Sequence, residues 1–271
     1  VMTYATLAAI VKYPFASTLA GNHGKFGFFC SEASTFKKIA DELGLIRLSA
    51  PGAPLHYVRH PLVYLMEAAD DICYEIMDIE DSHKLKILSF DETTELLLGF
   101  FDKNTQTDIL NRLKREGVTD ENEKIVYMRA CVVGKLENEC VQAFVDHEDE
   151  ILHGTLKGTL IDNISEPQRL AYKRCSEISY KRIYRSKPVL DIELSGYKIM
   201  ETLMQSLISA VVQPERFHSK QIIERVSSQY DIRSNNLETR IMAVLDYISG
   251  MTDVYALDVY QKLSGISLPI V

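Results

Sequence analysis

Apolar residues along this chain return at helical steps of three and four far more often than at the alternate positions of a strand. Residues 31–43 place Ala33, Phe36, Ile39, Ala40 and Leu43 on one face, with Ser31 as a candidate N-cap and Gly44 as the stop. Pro61 opens the most regular segment. Leu62, Leu65, Ala69, Ile72, Ile76 and Ile79 recur there at steps of three and four, which predicts a long helix over about 61–86 with that stripe facing the core. Ser89 or Asp91 caps a third helix through Phe101. Asp120 and Glu123 make a capping-box-like start for a helix to about 147, striped by Ile125, Met128, Val132, Leu136 and Cys140. Ser165-Glu-Pro167 begins another, to about Tyr184; further helical patterns cover 191–212 and 236–249, and Thr252 caps a last one through Leu263. The one strand-like piece, 187–190, is too short to support a sheet, so the predicted class is all-α.

Breaks fall at Pro51-Gly-Ala-Pro54, Arg185-Ser-Lys-Pro188 and Gln213-Pro214. The length, 271 residues, suits one large or two modest domains with a real core. With 30 Lys and Arg against 38 Asp and Glu the net charge is −8, which argues against general nucleic-acid binding. A polyanionic partner must then be met by a local basic cluster or through a metal. The five cysteines include no CxxC pair, so they read as reduced packing residues and not as a disulfide or zinc framework. No apolar run approaches the length of a membrane span and the N-terminal residues lack a signal-peptide pattern, so a cytoplasmic location with no membrane partner is expected. The sequence opens on Val1, which points to processing or to an absent upstream part.

The 61–86 segment also carries the most suggestive chemistry. At about 100° per residue, Asp70, Tyr74 and Asp78 fall opposite the apolar stripe. A solvated polar face is the plain explanation, yet residues 60–83 hold seven carboxylates (Glu67, Asp70, Asp71, Glu75, Asp78, Glu80, Asp81) and no Lys or Arg. Such a segment is more comfortable beside a metal or beside basic groups from another element. Lys12-Tyr13-Pro14 and His23-Gly-Lys25-Phe-Gly27 supply basic groups upstream; taken alone, each is an ordinary exposed lysine. Asp146-His147-Glu148-Asp149-Glu150 with His153 is rich in metal-ligating side chains, but it lies at a predicted helix end, where charges often only finish a surface. No phosphate-binding glycine loop and no usable nucleophile triad is present.

Three stretches together identify a resemblance. Glu67-Ala-Ala-Asp-Asp-Ile-Cys-Tyr74, continuing through Asp78-Ile-Glu-Asp81, is similar to the acidic-helix signature of the deoxyguanosine triphosphate triphosphohydrolases of the HD superfamily. Asp246-Tyr-Ile-Ser-Gly-Met-Thr-Asp253 with Tyr255-Ala-Leu resembles their C-terminal motif, and Lys-Tyr-Pro followed by Lys-x-Gly-Phe-Phe stands in the matching order. The chain resembles the C-terminal two-thirds of such an enzyme, with 1–115 expected to complete the HD catalytic core and 116–271 to pack on it as a helical region, or the two to form one domain.

What the resemblance implies is metal-dependent hydrolysis of dGTP, or another deoxynucleoside triphosphate, at the α-phosphorus, giving deoxynucleoside and inorganic triphosphate. Asp70 matches the last of four ligands to one divalent ion (Mg, Mn or Fe) and is expected to look inward, beside a cavity bordered by Lys12 or Lys25. The other three ligands match no residue of this sequence, and none of its seven histidines is followed by Asp. Lys12, Tyr13 and Lys25 match phosphate contacts, Tyr74 the ring that packs on the deoxyribose, and Asp78 the acceptor of the 3′-hydroxyl. A homo-oligomer is implied too. The resemblance also implies an effector, a nucleotide or a single-stranded nucleic acid, that Arg182, Arg185 and Lys187 could touch, although an exposed basic turn explains these three as well. Two rival readings are a helical regulatory module that keeps the scaffold without catalysis, and a hydrolase of another phosphoester.

Overall fold

The computed structural model describes residues 2–267. Among them the chain forms helices, chiefly α with short 3-10 and π turns, and isolated β-bridges but no strand, so the all-α class holds. In order the helices are α1 (Tyr4–Ala9), α2 (Ala33–Leu43), α3 (Pro61–Lys84), α4 (Phe90–Leu98), α5 (Lys103–Arg115), α6 (Glu121–Asp146), α7 (Glu148–Leu152), α8 (Glu166–Ile178), α9 (Lys187–Val212), α10 (Phe217–Glu224), α11 (Leu237–Ser249) and α12 (Asp253–Leu263).

Most ends are where the capping chemistry predicts them. Gly44 stops α2 in the left-handed conformation, with φ of 66°. Pro61 stands in the first turn of α3, and the His60 ring accepts from the Leu62 N–H as its cap. Ser89 and Glu92 form a capping box on α4, and Thr252 caps α12. Several expectations need correction. Residues 187–190 are not strand-like: Ser186 precedes a helix that starts at Lys187, because Pro188 in the first turn forgoes only an N–H that has no helical partner. The segment 165–184 is not one helix, since α8 ends at Ile178 and a π-helical turn follows over Ser179–Ile183. The helices α5 and α10 have no counterpart in the sequence reading.

The chain divides into two compact units, Val1–Tyr184 and Arg185–Val271, and not at 115/116. The reason is that α6 packs along α3. The predicted stripe Ile125, Met128, Val132, Leu136 and Cys140 is wholly buried in one cluster with Ile72, Ile76 and Ile79 of α3. A smaller cluster of the first unit gathers Ala16, Phe28, Phe36, Ala40 and Tyr57, which holds the irregular segment before α3 in place. The second unit has its own core, in which Leu203 and Leu207 of α9 meet Ile222, Ile223, Val244 and Tyr247.

Candidate functional site

The acidic helix α3 and the segments that meet it make the site. Its buried face differs from the expected stripe. Ile72, Ile76 and Ile79 are buried, but Leu62 and Ala69 are exposed, while Val63, Tyr64 and Ala68 go inside. Glu67, Glu75 and Glu80 are also buried, at 7, 8 and 6% exposure. That is where the missing cations were needed, because a carboxylate cannot be buried unpaired.

Each buried carboxylate has partners brought by another segment. Glu67 is held by Lys12 Nζ at 3.0 Å and by Arg59 Nη1 at 2.7 Å. Arg59 also donates to the Gly158 carbonyl and lies 4.3 Å from the Tyr64 ring centroid. Glu80 pairs with Arg129 Nε and Lys84 Nζ, each at 2.5 Å. Glu75 meets no cation among the described residues; the hydroxyls of Ser176 and Ser179 donate to it at 2.9 and 2.7 Å. Burial pushes its carboxyl above the usual range, and the two hydroxyl bonds offset only part of that.

The phosphate-side residues of the sequence reading come together. Lys25 Nζ and Lys12 Nζ lie 5.4 and 6.0 Å from the Tyr13 ring centroid, one on each sequence side of it. Gly27 permits this approach, since a Cβ there would stand 2.2 Å from the Tyr13 carbonyl oxygen. Burial works to lower the Lys12 amine, but the bond to Glu67 and its charge outweigh it, and the amine sits above its ordinary value. Glu67 thus ties the lysine cluster to α3, one turn before Asp70 and Asp71.

Further along α3, Asp71 is half-buried, and burial raises its carboxyl while Lys12 partly counters the effect. Tyr172 donates to the Asp71 carbonyl at 2.9 Å. Asp78 is half-buried too and accepts from the Tyr184 hydroxyl at 2.7 Å; burial raises it more than that bond lowers it. The π-helical turn fits this face: it carries Ser179 to Glu75 and delivers Tyr184, immediately after it, to Asp78. Sequence reasoning missed Arg59, the two serines and Tyr184, whose only trace was the acidic segment's lack of cations.

One expectation is corrected. Asp70 does not look inward: it is exposed and makes no side-chain bond among the described residues. Tyr74 is 66% exposed. A cavity of about 150 Å³ between α3 and α6 is bordered by Ala69 and Cys73 and by neither Lys12 nor Lys25. A divalent ion does not fit the residues present. Asp70 is a single carboxylate, and among the described residues no group of three or more His, Cys, Asp or Glu could hold one. The Asp146–His153 cluster makes local bonds instead, His147 to Glu150 and His153 to the Asp149 carbonyl. Arg182 is likewise engaged, with Glu92 at 2.6 Å and the Ile87 carbonyl. No helix among the described residues is long and apolar enough to cross a membrane.

Comparison with known proteins bears on this arrangement. Residues 163–262 match the family described as a phosphohydrolase-associated domain. The chain is 31% identical to a deoxyguanosinetriphosphate triphosphohydrolase-like protein of Pseudomonas aeruginosa, over 99% of its own length and 61% of that protein's. A protein of the same description from Synechocystis is 32% identical over 98% of the chain and 60% of its own length. The deoxyguanosinetriphosphate triphosphohydrolase of Yersinia pestis is 26% identical, with 97% and 60% covered. The chain therefore spans about three fifths of the length of the curated relatives it matches. The chain is thus similar, across nearly all of its residues, to curated proteins described as deoxyguanosinetriphosphate triphosphohydrolase-like, and it is all-α as its acidic-helix motif implied.

Proposed function

We propose that this chain forms the nucleotide-facing part of a deoxynucleoside triphosphate triphosphohydrolase, with dGTP as the first substrate to test. The observation that supports it most is the continuous line from Lys25, Tyr13 and Lys12 through Glu67 to Asp70, Tyr74 and Asp78 on one side of α3. From position 70 to 78 the helix rises about 12 Å, the scale of one nucleoside monophosphate unit. In this reading Lys12 and Lys25 sit against the phosphates and offset the charge that builds on the triphosphate as water adds to it, and Tyr13 shapes their approach. Tyr74 lies flat on the deoxyribose. Asp78, fixed by Tyr184, accepts from the 3′-hydroxyl. Water adds to the α-phosphorus, the bond from that phosphorus to the sugar 5′-oxygen breaks, and the proton from water ends on the 5′-oxygen.

Asp70 offers one carboxylate to a divalent ion whose other ligands are not among the described residues, and no step is assigned to such an ion. In a chain joined to the remainder of the family's length, Asp70→Ala is expected to abolish triphosphate release from dGTP while circular dichroism stays unchanged. Undiminished release would refute the role of Asp70. Asp78→Ala is expected to weaken deoxynucleotide binding by about 1–3 kcal/mol, the cost of losing a buried acceptor; equal affinity in a titration would remove the sugar contact.

A second reading, a helical regulatory module without catalysis, is favoured by one observation: the described residues hold no cluster able to bind a metal. It expects no triphosphate release in any assembly, with nucleotide binding retained.

A further inference from the structure

The second unit holds a cationic cleft that plays no part in the site on α3. It lies where α10, the turn-rich connection 225–236 and the start of α11 meet. Its volume is about 310 Å³, at the lower end of the roughly 300–1,000 Å³ of small-molecule sites. Lys220 comes from α10, Arg233 from the connection and Arg240 from α11, so three elements contribute one cation each to the lining. Ile232, fully buried, anchors the connection in the core of the unit. Arg240 Nη1 donates to the Ser234 carbonyl at 3.1 Å, which ties the connection to α11.

The charges around the cleft are poorly matched. Arg240 is partly buried, yet it forms no ion pair among the described residues: the partner of Nη1 is a neutral carbonyl, and Nε, shut away from water, has no partner. A guanidinium withdrawn from water is costly unless an anion meets it. Lys220 and Arg233 do reach carboxylates, Glu215 at 3.5 Å and Glu224 at 3.3 Å, but the side chains of those glutamates are 91 and 75% exposed. Pairs this open contribute little and separate at little cost. An oxyanion that sends both carboxylates back into water is left with three cations around it, and a phosphate accepts strong charge-assisted bonds from guanidinium and ammonium groups. A local excess of cations also stands out in a chain whose net charge is −8, where the general field repels anions from most of the surface.

We propose that this cleft is a binding site for the phosphate group of a small molecule, with Arg240 as the fixed anchor and Lys220 and Arg233 as the arms that exchange Glu215 and Glu224 for it. The concave shape suits a compact anion better than an extended backbone. The site falls within residues 163–262, the stretch that matches the phosphohydrolase-associated domain, and it does not depend on the proposed function. The basic turn of Arg182, Arg185 and Lys187 does not line it.

The test is a titration of the 271-residue chain with inorganic phosphate at constant ionic strength, followed by amide chemical shifts. Saturable shifts are expected within residues 214–240. Arg240→Gln is expected to weaken the apparent affinity roughly tenfold or more. Lys220→Gln, at an exposed position on α10, makes the same point without touching the core and is expected to weaken it about threefold. The acid variant moves the other way: Glu224→Gln removes the competitor of phosphate for Arg233 and is expected to tighten binding about threefold. Absence of saturable shifts in 214–240 overturns the proposal, and so does an affinity that neither Arg240→Gln nor Lys220→Gln lowers. Shifts confined to residues 12–27 would put phosphate on the Lys12 cluster alone, which overturns this site and leaves the proposed function standing. A single-stranded oligodeoxynucleotide that saturates the same shifts at far lower concentration than inorganic phosphate marks a nucleic-acid contact and overturns the small-ligand assignment.

Discussion

Glu75 shows what the acidic helix costs when a carboxylate is buried with hydroxyls in place of a cation. Ser176 and Ser179 satisfy its oxygens, yet burial leaves its folded-state carboxyl above the ordinary 4.5. Folding therefore favours the protonated form: the carboxyl costs nothing below pH 4.5, and stability falls as pH rises through the raised folded value. As pH rises above 4.5 the urea midpoint of the wild-type chain is expected to drop more steeply than that of Glu75→Gln. Parallel curves would mean that Glu75 is not the source. Glu67 lies at a similar depth but is held by two cations, Lys12 and Arg59. The sequence displayed all three glutamates but not their partners, which stand between 4 and 104 positions away in the chain.

At the scale of elements, the segment before α3 is irregular, and its shape comes from contacts and not from periodicity. The Gly27 N–H donates to the Phe15 carbonyl and the Ser17 N–H to that of Phe28, which draws the Lys25 loop onto Tyr13. A methyl at position 27 would meet Tyr13 O at 2.2 Å and Val11 Cγ1 at 2.4 Å. Gly27→Ala is therefore expected to destabilise the chain by about 1–3 kcal/mol in denaturant titration, as overpacking does. It should also weaken binding of inorganic triphosphate more than a surface Gly44→Ala change does. Equal effects of the two would separate Gly27 from the lysine cluster. The helices that sequence reading found had strong stripes or strong caps. The one it divided too little, 165–184, breaks at a π-turn whose purpose lies in delivering Ser179 and Tyr184 to α3, and the local sequence gives no sign of that.

For the whole molecule, the two units have separate cores. Leu136 is fully buried in the first and Leu203 in the second. Leu203→Ala is expected to cost about 2–5 kcal/mol, as a core cavity does, and Leu136→Ala a similar amount. Calorimetry should resolve whether the units melt apart: Leu203→Ala then lowers one transition and Leu136→Ala the other. A single transition moved equally by both substitutions would mean that the units unfold as one.

The sequence by itself determined the helical class, most helix ends and the motif that carries the likeness to its relatives, because periodicity, caps and contiguous signatures are local properties. It also marked α3 as the chemically loaded helix. Only the tertiary structure decided which side of α3 is buried, since that depends on α1, α6 and α8 arriving from distant positions. It turned Leu62 and Ala69 outward where the stripe alone put them in the core, and it left Asp70 exposed where the motif implied an inward ligand. Burial is a property of what packs against a face, and no single segment specifies its neighbour.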